Sequence, residues 1–111
     1  MDSLIVMYGL REGVDPTRFE QWLRDVDLPG YAALRTLQNP AYYRVEGTLD
    51  GPESDTRYII VLKATGNRDA INDEMAAASW KEFVESFEAR VDNPRYLTAT
   101  LLFGPGSTNQ A

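Results

Sequence analysis

The side chains that could do chemistry are concentrated between residues 19 and 47 of this 111-residue chain. A carboxyl group can move a proton, a guanidinium can hold an anion, and a phenol can donate a hydrogen bond. The chain contains no histidine and no cysteine, so histidine bases, cysteine nucleophiles, thiolate zinc sites and histidine-ligated haem are excluded. Any chemistry therefore depends mainly on this segment, which holds Trp22, Asp25, Asp27, Tyr31, Tyr42, Tyr43, Arg44 and Glu46.

Asp27 is the candidate general acid or base. It lies in the last turn of a predicted helix, where negative charge is mildly unfavourable, and about a quarter turn from that helix's apolar face. A carboxyl group facing an apolar pocket has a raised pKa, which suits it to proton transfer near neutral pH. The alternative is structural, with Asp27 capping a short helical turn that starts at Leu28. Asp25 lies further round the helix and is expected in solvent.

Arg44 and Glu46 alternate with Tyr42 along one face of a predicted strand, because residues two apart point the same way. Arg44 is the candidate anchor for an anion or a carbonyl group. If that face is enclosed, the guanidinium needs an anionic partner, for which Asp27, Glu46 or a ligand carboxylate are candidates. The alternative is an ordinary surface ion pair. The alternation alone fits either orientation of the strand.

Five aromatic side chains complete the candidate site. Tyr8 and Tyr43 are candidate hydrogen-bond donors on strands, and Tyr58 is a third strand tyrosine that could contact a ligand. Trp22 and Trp80 lie on the apolar faces of two predicted helices and are candidate binding residues. Aromatic residues at helical spacing are more often core packing, and the tip of a strand tyrosine often reaches solvent. Both structural alternatives stay open.

Hydrophobic periodicity predicts the elements that position these residues. Asp15 followed by Pro16 predicts the start of the first helix, and Pro29 with Gly30 predicts its end. The turn-rich stretch 48–56 predicts a hairpin loop. The predicted strands are 4–10, 41–47, 57–64 and 95–103, with a first helix at 16–27 and a helix pair between 68 and 91.

The element order predicts an α+β, ferredoxin-like fold, in which a four-stranded antiparallel sheet carries all its helices on one face. Residues 1–104 form a single domain, and 105–111 are expected to be a flexible C-terminal tail. The other face of the sheet is also apolar, at Ile59, Val61 and Leu97 among others, and must be covered. A second copy of the same sheet covers it most economically. We therefore expect a homodimer through the open sheet face.

Composition and charge exclude several partners. The chain is 43% hydrophobic and 25% charged, as in an ordinary globular protein. Its net charge is −6, and the 11 lysines and arginines form no basic stripe, so nucleic acid is not an expected partner. The first ten residues match neither a signal peptide nor a membrane span, so no membrane partner and a cytoplasmic location are expected. No glycine fingerprint, metal set or cofactor motif is present, and no cofactor is expected.

With these residues identified, the sequence resembles the REDY-like HapK family of prodigiosin-type pathways, a branch of the dimeric α/β-barrel superfamily. The resemblance runs through the stretches IVMYGLREGVD, FEQWLRDVDLP, YYRVEG and FVESFEARVDNPRYL. Its features are an aromatic residue in the first strand, a tryptophan and a terminal acid in the first helix, a Tyr-Arg pair in the second strand, and an acid-Asn-Pro turn before the last. The residues in question are Tyr8, Trp22, Asp27, Tyr43, Arg44 and Asp92.

The resemblance implies the handling of a small aromatic or pyrrolic metabolite in secondary metabolism. One hypothesis is a cofactor-independent catalyst of a condensation, cyclisation or dehydration, with Asp27 as acid or base, Arg44 as anchor, and Tyr8 and Tyr43 as donors. A second is a non-catalytic carrier of a reactive hydrophobic intermediate, in which Trp22 and Trp80 bind the ligand. A third, weaker hypothesis is a cofactor-free monooxygenase, which the wider superfamily contains.

Overall fold

The structure, a computed structural model, describes residues 1–104, with the side chains of residues 78 and 79 excepted. The strands are β1 (Ser3–Leu10), β2 (Leu37–Arg44), β3 (Tyr58–Ala64) and β4 (Val91–Ala99). The helices are α1 (Pro16–Trp22), α2 (Leu28–Tyr31), α3 (Arg68–Met75) and α4 (Ala78–Glu88), and a π-helical segment, Leu23–Asp27, joins α1 to α2. The predicted tail, 105–111, lies outside the described residues.

The four strands form one antiparallel sheet in the order β2-β3-β1-β4. This confirms the predicted ferredoxin-like, α+β fold. Alternate residues of the two central strands are buried against the helices, whereas their neighbours on the opposite face, such as Ile59 and Val61, are only half-buried. The core between sheet and helices includes Leu4, Val6, Tyr8, Phe19, Tyr58, Ile60, Leu62, Ile71, Trp80 and Phe87.

Two helices begin where the sequence predicts. The side chain of Asp15 accepts a hydrogen bond from the backbone N–H of Arg18 at 3.0 Å, and Pro16 occupies the first helical position. The side chain of Asn67 accepts a hydrogen bond from the N–H of Ala70 at 2.8 Å. Each cap satisfies a backbone donor that the helix itself leaves free.

The predicted end of the first helix at Pro29 is wrong. The helical path continues to Tyr31, because the π-helical segment intervenes and the N–H of Leu28 bonds to the carbonyl of Leu23, five residues back. Pro29 then lies in the first turn of α2, where its missing N–H costs little. The wider π turn also changes the angular position of the residues after it. Asp27, at its end, is 0% exposed.

Both edge strands carry a bulge at an Asn-Pro dipeptide. In β2 the register against β3 shifts between Gln38 and Ala41, and Asn39 has φ 54°. In β4 the register against β1 shifts between its pairings with Met7 and Gly9, and Asn93 has φ 48°. Asparagine tolerates this left-handed conformation better than most residues. Each bulge adds one residue to its strand.

The bulges determine which side chains face the helices. Leu37 is buried, and the extra residue after it places Tyr42 and Arg44 opposite Ile60 and Tyr58, on the helix side. The sequence prediction began β2 and β4 four residues late because it interpreted each Asn-Pro as a break before the strand. Proline is tolerated at both places because the bulges lie in edge strands.

Candidate functional site

The carboxyl group of Asp27 is buried between the sheet and the helices. Its Oδ2 accepts a hydrogen bond of 2.6 Å from the hydroxyl of Tyr42. Its Oδ1 is also buried, and no described residue donates to it. Burial raises the pKa of Asp27 to about 6, and the hydrogen bond from Tyr42 opposes that rise. One carboxylate oxygen is thus oriented by Tyr42 while the other is free to take or give a proton.

Two further buried polar groups lack partners among the described residues. These are the hydroxyl of Tyr8 and the indole Nε1 of Trp80. Buried polar groups are almost always hydrogen-bonded, so such groups mark a place where a ligand or water is needed. Burial raises the pKa of Tyr8, and the charge of Asp27 raises it further. Asp27 offers an acceptor, whereas Tyr8 and Trp80 offer donors.

The charge of Asp27 also affects the pKa values of other tyrosines. Burial raises the pKa values of Tyr31, Tyr42 and Tyr96, and the negative charge of Asp27 contributes to the rise in each. The sequence analysis did not assign Tyr96 to the site. A repeat in the sequence could have indicated it, because Tyr42 and Tyr96 each follow an Asn-Pro dipeptide by two residues.

A cluster of aromatic rings packs in and against the core between the helices and the sheet. Trp80 stacks on Phe83 with 4.3 Å between ring centroids, and Trp22 lies 6.2 Å from Phe83 in a similar orientation. Tyr31 contacts Trp80 at 5.4 Å. The guanidinium of Arg90 covers the ring of Trp22 at 4.6 Å. Trp22 and Trp80 are therefore brought together through Phe83, with Trp80 in the buried core and Trp22 packed against it, as the structural alternative expected.

Arg44 forms a surface ion pair with Glu20, with 64% of its side chain exposed, and does not reach Asp27 or Glu46, its candidate partners for an enclosed strand face. Its Nε donates to Glu20 Oε2 at 2.8 Å, its second nitrogen bonds to Oε1, and the Tyr58 hydroxyl donates to the same carboxylate at 2.8 Å. The hydrogen bond from Arg44 holds the pKa of Glu20 down at about 2. The sequence could not indicate this contact, because Glu20 lies on α1, far from Arg44 in the chain.

Tyr43 contributes to the rim of a cavity that Arg44 and Tyr58 also line, but it has no contact with Asp27. It pairs with Ile59 and shares the open face of the sheet, and 56% of its surface is exposed. The hydroxyl that reaches Asp27 belongs instead to the preceding residue, Tyr42. The bulge in β2 explains the difference, since it reverses which of the two adjacent tyrosines faces inward.

Two adjoining cavities open between α1 and β2. The inner one, of about 290 Å³, includes Leu23, Leu28 and Tyr42, so it reaches the residue that bonds to Asp27. The outer one has a volume of about 470 Å³ and shares Glu20, Arg24, Arg44 and Tyr58 with the inner one. A third cavity, of about 510 Å³, lies at the other edge of the sheet and includes Tyr96, Leu4 and Met75.

Within the described part of the chain, no group of three acidic side chains converges in a way that could hold a metal ion. Nor does any helix in residues 1–104 have the length and apolar character needed to cross a membrane. Asp27, Tyr8 and Trp80 line none of the three cavities, and the inner cavity approaches Asp27 only through Tyr42. The chemistry present is a proton acceptor at Asp27 Oδ1 and hydrogen-bond donors at Tyr8 and Trp80.

Comparison with known proteins identifies a matching family and several solved structures of similar fold. A model of the family described as REDY-like protein HapK matches residues 2–102. The crystal structure of HapK from Hahella chejuensis superposes with a TM-score of 0.72 at 20% identity, covering 97% of this chain and 100% of that chain. A mutant of SnoaB, a cofactor-independent oxygenase from Streptomyces nogalater, gives 0.69 at 12% identity, covering 95% and 96%.

A dimeric ferredoxin-like protein of unknown function from Thermobifida fusca gives a TM-score of 0.63 at 18% identity and covers 89% of each chain. No curated protein sequence matches the chain. At these identities the structural likenesses establish the fold, and the site must be interpreted from its own geometry.

Proposed function

Because this chain belongs to the REDY-like protein HapK family, we propose that it acts on a small molecule of secondary metabolism with Asp27 as general acid and base. The observation that supports this most is the buried Asp27 carboxyl, which has one free oxygen and a pKa raised to about 6. A group with a pKa near the working pH can both hold and release a proton. Tyr42 fixes its orientation.

The reaction class in this proposal is a condensation, cyclisation or dehydration of an aromatic or pyrrolic metabolite. Each of these reactions takes a proton from one atom and returns it to another, often to an oxygen that leaves as water. Asp27 would move that proton, while Tyr8 and Trp80 would donate hydrogen bonds to a carbonyl oxygen as charge develops on it. A prodigiosin-type tripyrrole pathway is the setting that the family resemblance suggests. The expected cytoplasmic location stays a prediction.

A model condensation tests this role. When a formylpyrrole joins a dimethylpyrrole, one carbon–carbon bond forms, water leaves, and a coloured dipyrromethene appears. We expect the protein to accelerate this reaction with a midpoint near pH 6. Asp27→Asn should lower the rate by about a hundredfold or more. Tyr42→Phe should move the midpoint upward, because the hydrogen bond that lowers the pKa of Asp27 is lost.

Arg18→Gln is the matched control, since only the backbone N–H of Arg18 takes part in the Asp15 cap and its side chain lines none of the three cavities described above. Full activity in Asp27→Asn would contradict the assignment. The carrier alternative is favoured by the cluster of stacked rings, and under it ligand affinity should survive Asp27→Asn and Arg44→Gln but be lost in Trp22→Ala. For the oxygenase alternative, an oxygen electrode with a phenolic or anthrone-like substrate should register consumption.

We also propose that two copies of the chain pair through the open face of their sheets. This face carries Leu97, 47% exposed, opposite the half-buried Ile5, and the similar Thermobifida fusca protein is described as dimeric. Leu97→Glu should convert a dimer into a folded monomer in analytical ultracentrifugation, because it places a charge in an apolar interface. Leu49→Glu, in the exposed hairpin loop, should stay dimeric. A monomeric wild-type protein at tens of micromolar would contradict the pairing.

A further inference from the structure

The outer cavity between α1 and β2 gathers positive charge in an acidic protein. Three arginines, Arg24, Arg44 and Arg57, line its volume of about 470 Å³ together with a single carboxylate, Glu20. The chain as a whole carries a net charge of −6. An anion is therefore repelled by most of the surface and attracted to this cavity.

The one carboxylate that lines the cavity already has hydrogen-bond donors of its own. Glu20 accepts both hydrogen bonds from Arg44 and one from Tyr58. The side chains of Arg24 and Arg57 donate no hydrogen bond to any described residue and form no ion pair there. Their positive charges nevertheless act locally, because Arg24 helps to lower the pKa of Glu20 and Arg57 opposes the rise in the pKa of Tyr58.

Two other acids lie near the edge of this group. Glu46 and Glu53 line a much smaller neighbouring space, of about 70 Å³, to which Arg57 also contributes. Neither acid lines the outer cavity. With Glu20 engaged by Arg44, Arg24 and Arg57 line the cavity without an ion-pair partner among the described residues.

The outer cavity leads toward the proposed acid-base group. It shares Glu20, Arg24, Arg44 and Tyr58 with the inner cavity, which includes Tyr42. Tyr42 in turn bonds to Asp27. A ligand whose anionic end lies between the arginines would therefore extend its ring system toward Leu23, Leu28 and Tyr42 in the inner cavity.

We infer that the outer cavity binds the anionic group of an aromatic acid, a carboxylate or sulfonate held by Arg24 and Arg57. Guanidinium groups suit this role because their planar donors match a carboxylate or sulfonate. As a statement about the ligand of the Asp27 site, this rests on the proposed function. As a statement about anion binding, it can be tested separately.

Two fluorescent probes that differ in one charged group provide the test. Anilinonaphthalene sulfonate is an aromatic anion, and phenylnaphthylamine is its neutral counterpart. We expect the anionic probe to bind the wild-type protein more tightly than the neutral one, and its affinity to fall as salt is raised. In the double variant Arg24→Gln, Arg57→Gln the dissociation constant of the anionic probe should rise about tenfold or more, with the neutral probe unchanged.

The control is Arg18→Gln, which removes a positive charge from α1, just before the segment that carries Arg24, but outside the cavity, and it should leave the binding of both probes unchanged. Equal binding of the two probes to the wild-type protein, or unchanged binding of the anionic probe to the double variant, would overturn the inference.

Asp27→Asn separates the two proposals. If it abolishes the condensation while the double variant binds the anionic probe normally, the acid-base role stands and the anion site falls. If only the double variant loses the probe and Asp27→Asn keeps full activity, the reverse holds.

Discussion

Ionisation of Asp27 is expected to lower the free energy of unfolding of the wild-type protein by about 3 kcal/mol between about pH 4 and pH 7, and Asp27→Asn should not show this decrease. The pKa of Asp27 is 3.8 in its ordinary state and about 6 in the folded protein, because burial disfavours the charged form. As the pH rises through this window, the unfolded chain ionises Asp27 more readily than the folded one does. The folded state is therefore most favoured below about pH 4 and loses this contribution as the pH rises through 6.

The measurement is urea unfolding followed by tryptophan fluorescence at several pH values. The quantity of interest is the difference in the free energy of unfolding between the wild-type protein and Asp27→Asn, in which the titrations of all other groups cancel. Asparagine keeps the acceptor for the hydroxyl of Tyr42 but never ionises. The difference should move in favour of the variant as the pH rises from 4 to 7.

Glu20→Gln is a control with the opposite sign. Arg44 lowers the pKa of Glu20 to about 2, so this carboxylate stabilises the fold above its unfolded pKa and the contribution is lost as the pH falls. The relative stability of the two variants should thus change in opposite directions with pH. The difference in the free energy of unfolding between the wild-type protein and Asp27→Asn could instead stay constant with pH. That result would show that the Asp27 carboxylate is hydrated in the folded protein. The general acid-base proposal would lose its support.

The sequence was sufficient for the order of elements because each strand and helix has its own local signal. The cap at Asp15 and the cap at Asn67 use only neighbouring backbone groups, so they can be predicted without knowing the fold. Asp27 was predicted to turn inward for a partly correct reason, since its distance from the apolar face was estimated for a regular α-helix. The π-helical turn that places it cannot be predicted from helical spacing.

The prolines explain most of what the sequence did not reveal. Proline disrupts a helix or strand where its missing N–H would have had a partner, or where its ring meets the carbonyl four residues earlier in a helix. At Pro29 a π turn removes that need, and at Pro40 and Pro94 an edge strand with a bulge does so. Whether Tyr42 or Tyr43 faces Asp27 depends on the bulge at Pro40, and the partner of Arg44 depends on how α1 packs. Both are properties of the assembled sheet and helices.

Gly30→Ala is expected to destabilise the protein by about 2 kcal/mol, although alanine is the better helix former. A Cβ on Gly30 would lie 2.5 Å from Cε2 of Phe83 and 2.9 Å from Cζ. The ring of Phe83 has little room to move, because Trp80 stacks on it at 4.3 Å and Trp22 lies at 6.2 Å. The free energy of unfolding from urea titration checks this, and a neutral or stabilising result would contradict the close contact.

The same substitution also tests whether the packing of α2 keeps Asp27 dry, since Gly30 lies three residues after Asp27 in one continuous helical path. If the clash with Phe83 separates α2 from α4, water reaches the carboxyl, and its pKa should fall from about 6 toward 3.8. The pH-dependent stability difference would then shrink in the Gly30→Ala background.

Phe83→Leu in that background removes the clashing ring atoms, so it should recover stability. A double-mutant cycle then separates the steric contact from the loss of the ring. Recovery of stability without recovery of the raised pKa would show that the Phe83 ring itself, and not the position of α2, excludes water from Asp27.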